Sequence, residues 1–281
     1  MRIWALWGAL AVAMPLAWGT ARAEKTKPKL VAPVAPPLPS PATAARLQDL
    51  ESNDEPRAID AARALSQAAP TDTAAVNALV DALAHGAAPK VDAAILAALA
   101  GRTDARAVAM MERYAQHRTA EVRKAALVAL AALPATDKRA LAPLVAALGD
   151  SDGDVRAQAA QCIGQRRESG AEDRLVKLLE HRDPAAAGAL AAIGTPQLAH
   201  RLSEMLGSVP DPILCSALGD MLKRVDFGPE PIRVEVVRTL AKVPGADSTT
   251  ALVEYVAATE QDKNRPSRLE AQKVVDERSR Q

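Results

Sequence analysis

The residues whose types could do chemistry in this chain are four histidines, two cysteines, one tight run of acids and a few arginines in register. The acids stand in Asp150-Ser151-Asp152-Gly153-Asp154, which superficially has the make-up of a calcium loop. An EF-hand loop needs glycine at its sixth position and a bidentate glutamate at its twelfth; here glycine is fourth and the twelfth residue is Gln161. The run reads instead as a turn whose last aspartate caps a helix beginning at Val155. The histidines are followed by Gly86, Arg118, Arg182 and Arg201, so none opens a His-Glu metal pair, and no Cys/His cluster has metal spacing. No G-x-S-x-G, P-loop or G-x-G-x-x-G is present. The residues therefore predict no metal, no cofactor, no small-molecule substrate and no catalysis.

What is left is charge. Arg123 and Arg156 stand 33 residues apart, each with an acid within reach in a neighbouring turn, Asp150 or Asp183. A planar guanidinium meets a carboxylate at two points, so this pair of arginines reads as structural. Arg106 and Arg139 are also 33 apart, and with Arg113 and His117 they fall opposite the apolar stripe of their segments. These four, Arg106, Arg113, His117 and Arg139, are the candidate partner-binding residues.

The elements that must position them are helices. Leu141, Leu144, Val145 and Leu148 share one helical face, as do Val76, Leu79, Val80 and Leu83, and Leu198, Leu202, Met205 and Leu206. EVRKAALVAL at 121–130 and DVRAQAAQCI at 154–163 repeat in register, so Val122 and Val155, Ala126 and Ala159, and Leu130 and Ile163 are each 33 apart. Thr71, Thr103, Thr136 and Ser169 form a second ladder and read as hydroxyl caps. First helices are expected near 55–67, 89–100, 121–133, 154–165, 184–193, 211–225 and 231–243, and second helices near 72–85, 104–117, 137–148, 171–181, 196–206 and 248–259. Thr195-Pro196, Asp183-Pro184 and Asp211-Pro212 each place a capping oxygen before a first-turn proline. The sixth unit reads as lacking a second helix, its place taken by Phe227-Gly228-Pro229. The chain thus reads as an all-α solenoid, since no such hairpin can bury its apolar stripe alone.

The pattern D-x-D-x-x-V-R-x-x-A-A, present as Asp150, Asp152, Val155, Arg156, Ala159 and Ala160 and partly as Val122, Arg123 and Ala126, resembles short HEAT repeats of the phycobilin-lyase type. The resemblance covers residues 43–262. It implies a right-handed α-solenoid of about six to seven helical hairpins, with second helices lining a concave side. It also implies protein–protein interaction or assembly, with protein partners on that side, as the function. The alternative it carries is an enzyme or lyase accessory on the same scaffold. Deoxyhypusine hydroxylases, a related HEAT-like family, use His-Glu pairs that this chain lacks. Bilin lyases share the scaffold motif only, and the scarcity of aromatics speaks against a tetrapyrrole ligand.

Residues 1–23 read as a secretory signal: Arg2, an apolar stretch from Ile3 to Trp18, then the cleavage site Ala21-Arg22-Ala23. Export to a periplasmic or extracellular space follows, with no stable membrane span after cleavage. All three tryptophans leave with the signal, and so do Arg2 and Arg22; of 35 Lys and Arg, 33 then face 34 Asp and Glu, a net charge near −1. A near-neutral chain whose aromatics are Tyr114, Phe227 and Tyr255 lacks the basic field and stacking platforms of a nucleic-acid binder. Residues 24–42, with six prolines, read as an extended linker, and 263–281 as a polar helix or tail. Cys162 and Cys215, two units apart, are too distant for a disulfide and are expected as buried free thiols.

Overall fold

In the computed structural model, residues 41–67 and 73–280 are described. The signal-like segment 1–23, the proline-rich stretch up to residue 40 and the expected cap Thr71 lie outside the described residues. Alanine-rich apolar periodicity produces fifteen α-helices there. They are α1 Pro41–Leu50, α2 Glu55–Ser66, α3 Thr73–His85, α4 Pro89–Leu99, α5 Ala105–Tyr114, α6 Ala120–Ala131, α7 Leu141–Ala147, α8 Gly153–Arg166, α9 Glu172–Glu180, α10 Ala185–Ile193, α11 Pro196–Glu204, α12 Asp211–Lys223, α13 Glu230–Lys242, α14 Ala246–Ala258 and α15 Pro266–Ser279. Short 3-10 turns, Lys138–Ala140 and Ser169–Ala171, lead into α7 and α9. Among the described residues no helix is long and apolar enough to cross a membrane.

The helices make an all-α solenoid of seven hairpins, α2/α3 through α14/α15, with α1 packed on α2 at one end. First helices stack in chain order from α2 through α14, and second helices run beside them, α3 on α5, α11 on α13 and α13 on α15. This corrects the expected order after residue 225. The 231–243 segment is a second helix and the 246–258 segment a first helix, so the sixth hairpin is complete and α15 closes the seventh. The Phe227-Gly228-Pro229 bend is the connection inside the sixth hairpin. Phe227 is buried, and Arg233, 1 % exposed, lies over its ring at 5.4 Å and donates to the carbonyls of Leu222 and Arg224, both at 2.8 Å. Five fixed donors on one buried guanidinium satisfy the carbonyls that the bend frees.

One continuous apolar core runs through the array, and the expected stripes face it: Val76, Leu79, Val80, Leu83, Leu144, Leu148, Leu198 and Leu202 are buried. Small residues set the first-helix spacing. A Cβ on Gly164 of α8 would meet the Ala189 Cα of α10 at 3.2 Å, and one on Gly219 of α12 would meet the Ala251 Cβ of α14 at 2.9 Å. These helices approach through glycine because any larger side chain would push them apart.

The capping ladder is corrected as well. α5 is capped by Asp104, which accepts from the N–H groups of Arg106 at 2.9 Å and Ala107 at 3.1 Å, and the turn before α7 is capped by Asp137; the threonines beside them are not the caps. Ser169 is the first residue of its 3-10 turn and caps nothing. A carboxylate one residue further on meets the free N–H groups with full charge, two at Asp104 and one at Asp137, and displaces the hydroxyl. Likewise α8 begins at Gly153, capped by Asp152 rather than Asp154. Thr195 caps α11 as expected, whereas Asp211 lies inside the first turn of α12.

Candidate partner-binding site

The turns that join each second helix to the next first helix form one edge of the array. Arg123, fourth residue of α6, donates from Nη2 and Nε to Asp150 at 2.7 and 2.8 Å and from Nη1 to the carbonyls of His117 and Arg118. Arg156, fourth residue of α8, repeats the arrangement with Asp183 at 2.7 Å and the Asp150 and Ser151 carbonyls. Each arginine thus ties two successive turns, which is the structural role expected of it. Asp150 is consumed by this rung and by the Asp152 N–H at 2.9 Å, so the acidic run is a turn. No group of three or more metal-ligating side chains is assembled among the described residues.

The four candidate residues separate into two pairs. Arg106 on α5 reaches back to α3, donating to Asp81 at 2.7 Å and Asn77 at 2.9 Å. Arg139 is held by Asp137, Nη2 to Oδ2 at 2.6 Å, and also donates to the Thr103 carbonyl at 3.0 Å. These ion pairs hold the Arg139 guanidinium more firmly protonated and bring the Asp137 carboxyl down to about 2. Arg106 and Arg139 therefore do not form a bare positive patch: their charge is met inside the array.

Arg113 and His117 do come together, on a cleft of about 280 Å³ between the α3–α4 and α5–α6 turns. Tyr114 anchors the wall. Its hydroxyl donates to the Leu83 carbonyl at 2.5 Å, its ring stacks on His117 at 5.6 Å, and the Arg113 guanidinium lies 5.6 Å from the ring centroid. Burial pushes the Tyr114 phenol up, helped by the charge of Asp92. His117 Nδ1 accepts from the Thr119 N–H at 3.1 Å, which leaves the proton on Nε2.

Two further residues line the cleft that the sequence did not single out, Arg118 and Asp92. Asp92 is only 3 % exposed; one oxygen accepts from the Ala87 N–H at 3.2 Å, and among the described residues no donor meets the other. Burial raises its pKa, opposed by that hydrogen bond and by His117. A signal for it existed. Asp92 is the fourth residue of α4, the place that Arg123 and Arg156 hold in α6 and α8, and His117 stands 33 residues before Asp150. Here the acid stands on the helix and the base on the turn, and no hydrogen bond or ion pair joins the two among the described residues.

With the solenoid and its edge in place, the family comparison is decisive: a HEAT-repeat model matches residues 76–154 and 141–223, together more than half of the chain. The chain belongs to the HEAT-repeat family. No curated protein matches it. Among solved structures it is similar to the complex of CpcE and CpcF of phycocyanin lyase from Nostoc sp. PCC7120, at 18% identity, 89% of this chain, 98% of that chain and a TM-score of 0.46. It is also similar to an engineered protein, at 21% identity, 86% of this chain, 69% of that chain and a TM-score of 0.42. A designed armadillo repeat protein in complex with the peptide (KR)4 matches at 22% identity, 84% of this chain, 99% of that chain and a TM-score of 0.31. In this HEAT array, then, the arginine that closes the turns at α6 and α8 is replaced at α4 by Asp92, and the cleft lies beside it.

Proposed function

We propose that this HEAT protein is an exported, non-catalytic scaffold that binds protein partners in the cell envelope. The observation that carries the reading is the surface of the second helices. Charged residues stand on one recurring face, and adjacent hairpins are bridged there by Arg106–Asp81, Arg201–Asp173, His200–Glu235 and Arg238–Glu270. Exposed pairs of this kind contribute little to stability, about 0–1 kcal/mol each, so their value is a fixed pattern of charge presented to a partner. HEAT arrays of this type present second helices on the concave side, which is where we place the partner.

Pull-down with the tagged full chain from an envelope fraction tests the reading. Reproducible capture of specific proteins is expected, weakened by salt; absence of any specific partner, or a chromophore or metal co-purifying with the chain, would overturn it in favour of an enzyme or lyase accessory. Export is tested separately by N-terminal sequencing, with Glu24 expected as the first mature residue and an intact Met1 as the refuting result.

A further inference from the structure

Arg113 and Arg118 differ from the rung arginines of this edge. Arg123 and Arg156 are closed on Asp150 and Asp183, and Arg106 and Arg139 are paired nearby, but among the described residues no carboxylate lies within ion-pair distance of Arg113 or Arg118. Both line the cleft, and His117 adds its Nε2 proton to the same wall. Donors therefore gather in a pocket whose single lining acid, Asp92, is 3 % exposed and accepts from the Ala87 N–H. We propose, building on the scaffold reading, that this cleft is a carboxylate-binding pocket that takes an Asp or Glu side chain from an extended acidic segment of a protein partner.

A cationic ligand is rejected by two guanidinium groups at the wall, and a neutral one leaves them without a counter-charge. An incoming carboxylate meets both, and at Asp92 the two carboxyls share one proton. Burial raises the Asp92 pKa against the Ala87 N–H and His117, and a second carboxylate beside it raises it further. The groups around Asp92 are otherwise accounted for. His85, Arg113, Tyr114, His117 and Arg118 line the cleft with it, Lys90 of α4 is engaged with Glu55 of α2, and Arg123 of α6 is engaged with Asp150.

The neighbouring cleft, about 410 Å³, shares His117 and Arg118, and the next, about 320 Å³, presents Arg174 and Lys177. Hairpins advance by about 8–10 Å and an extended chain by about 3.3 Å per residue, so one partner residue in three falls opposite a turn.

The test uses the full chain and a fluorescein-labelled peptide with Glu at every third residue among Gly and Ser, read by anisotropy. Peptides carrying Gln or Lys at those positions are the controls. The Glu peptide is expected to bind in a salt-sensitive way, and the Gln and Lys peptides not to bind. Arg113→Gln with Arg118→Gln, both exposed and expected to leave helix content unchanged, should weaken binding by about tenfold or more. Arg63→Gln with Arg167→Gln, both exposed and lining none of these clefts, should leave it within about twofold. Asp92→Asn removes the charge at nearly the same volume, so it should bind as tightly or tighter and show less tightening on acidification than the wild type. Equal binding of the Gln peptide, binding of the Lys peptide with loss in Asp92→Asn, or an unaffected Arg113/Arg118 variant would each overturn the pocket. A chain that captures envelope partners while ignoring the Glu peptide sinks the pocket alone and leaves the scaffold reading standing.

Discussion

Arg123 grips Asp150 through two parallel hydrogen bonds, and both side chains are only 14% and 13% exposed. The turn before α8 is thereby tied to the first helix of the hairpin before it. Burial alone would raise the Asp150 pKa, but the Arg123 guanidinium and the Asp152 N–H outweigh it and hold the carboxyl below its ordinary value.

Replacing Arg123 with Met keeps the apolar stem and strands Asp150, so a loss of roughly 1.5–3 kcal/mol is expected. The sign with pH follows from linkage. A folded pKa below the unfolded one stabilises above the unfolded value, about 3.9, and that gain fades as pH falls through the folded value. In Arg123→Met the low folded pKa is lost, so the stability deficit in urea unfolding should be full near neutral pH and shrink as pH falls below about 4, which makes the acid limb shallower than that of the wild type. An acid limb identical to wild type would mean that the rung carries no linkage.

Leu144 is fully buried in α7, a helix of seven residues with few other core contacts to share the load. Leu144→Ala should cost roughly 2–5 kcal/mol in chemical denaturation, transfer and cavity terms together. A cost below about 0.5 kcal/mol would be that of a surface position and would reverse the inner and outer faces of the second helices.

Local periodicity made the core faces and most helix limits legible, because Leu144 or Val76 declares its side by its spacing from like neighbours. Layer assignment was not legible after residue 225. Val236, Val237 and Leu240 of α13 and Leu252 and Tyr255 of α14 mark buried faces equally well in either layer, and which layer holds them depends on contacts with α11 and α12 far away in sequence. α15 hid for a different reason: its fully buried contributions are Ser267 and Ala271, too little apolar surface to stand out in a polar segment. The cleft needed the same non-local knowledge. Asp92 in Pro89-Lys90-Val91-Asp92 has the make-up of a solvated first-turn acid, and only the turn that follows α5 brings it close to His117.

Cys162 and Cys215 are free and buried, in the first helices of the fourth and sixth hairpins. Burial, with Asp211 and Asp247 nearby, pushes the Cys215 thiol up to about 11, and burial raises that of Cys162. Neither should react at neutral pH with an aromatic disulfide reagent in the native protein, since the thiolate is the reactive form. Unfolding without reductant should release two thiols per chain. Release of none would require the intramolecular disulfide that the two-hairpin separation forbids.

The place of α15 gives the last test. Tyr255 of α14 meets the Ser267 hydroxyl at 2.5 Å, and Glu230 of α13 accepts from the Ser267 N–H at 3.1 Å, its hydroxyl at 2.8 Å and Arg265 at 2.6 Å. Arg278 then reaches the Ala241 and Val243 carbonyls at the end of α13. A chain ending at Asp262 therefore loses more than a frayed tail: it bares one side of α13 and α14, leaves the Tyr255 hydroxyl without Ser267 and leaves Glu230 with Arg233 at 3.8 Å. Because solenoid stability is close to a sum of hairpins and their interfaces, the loss should begin at that end and spread. Hydrogen exchange should show α13 and α14 deprotected while α4 to α8 keep wild-type protection. If the truncated chain protects α13 as the full chain does, α15 is an appendage and the seventh hairpin is not a unit of the fold.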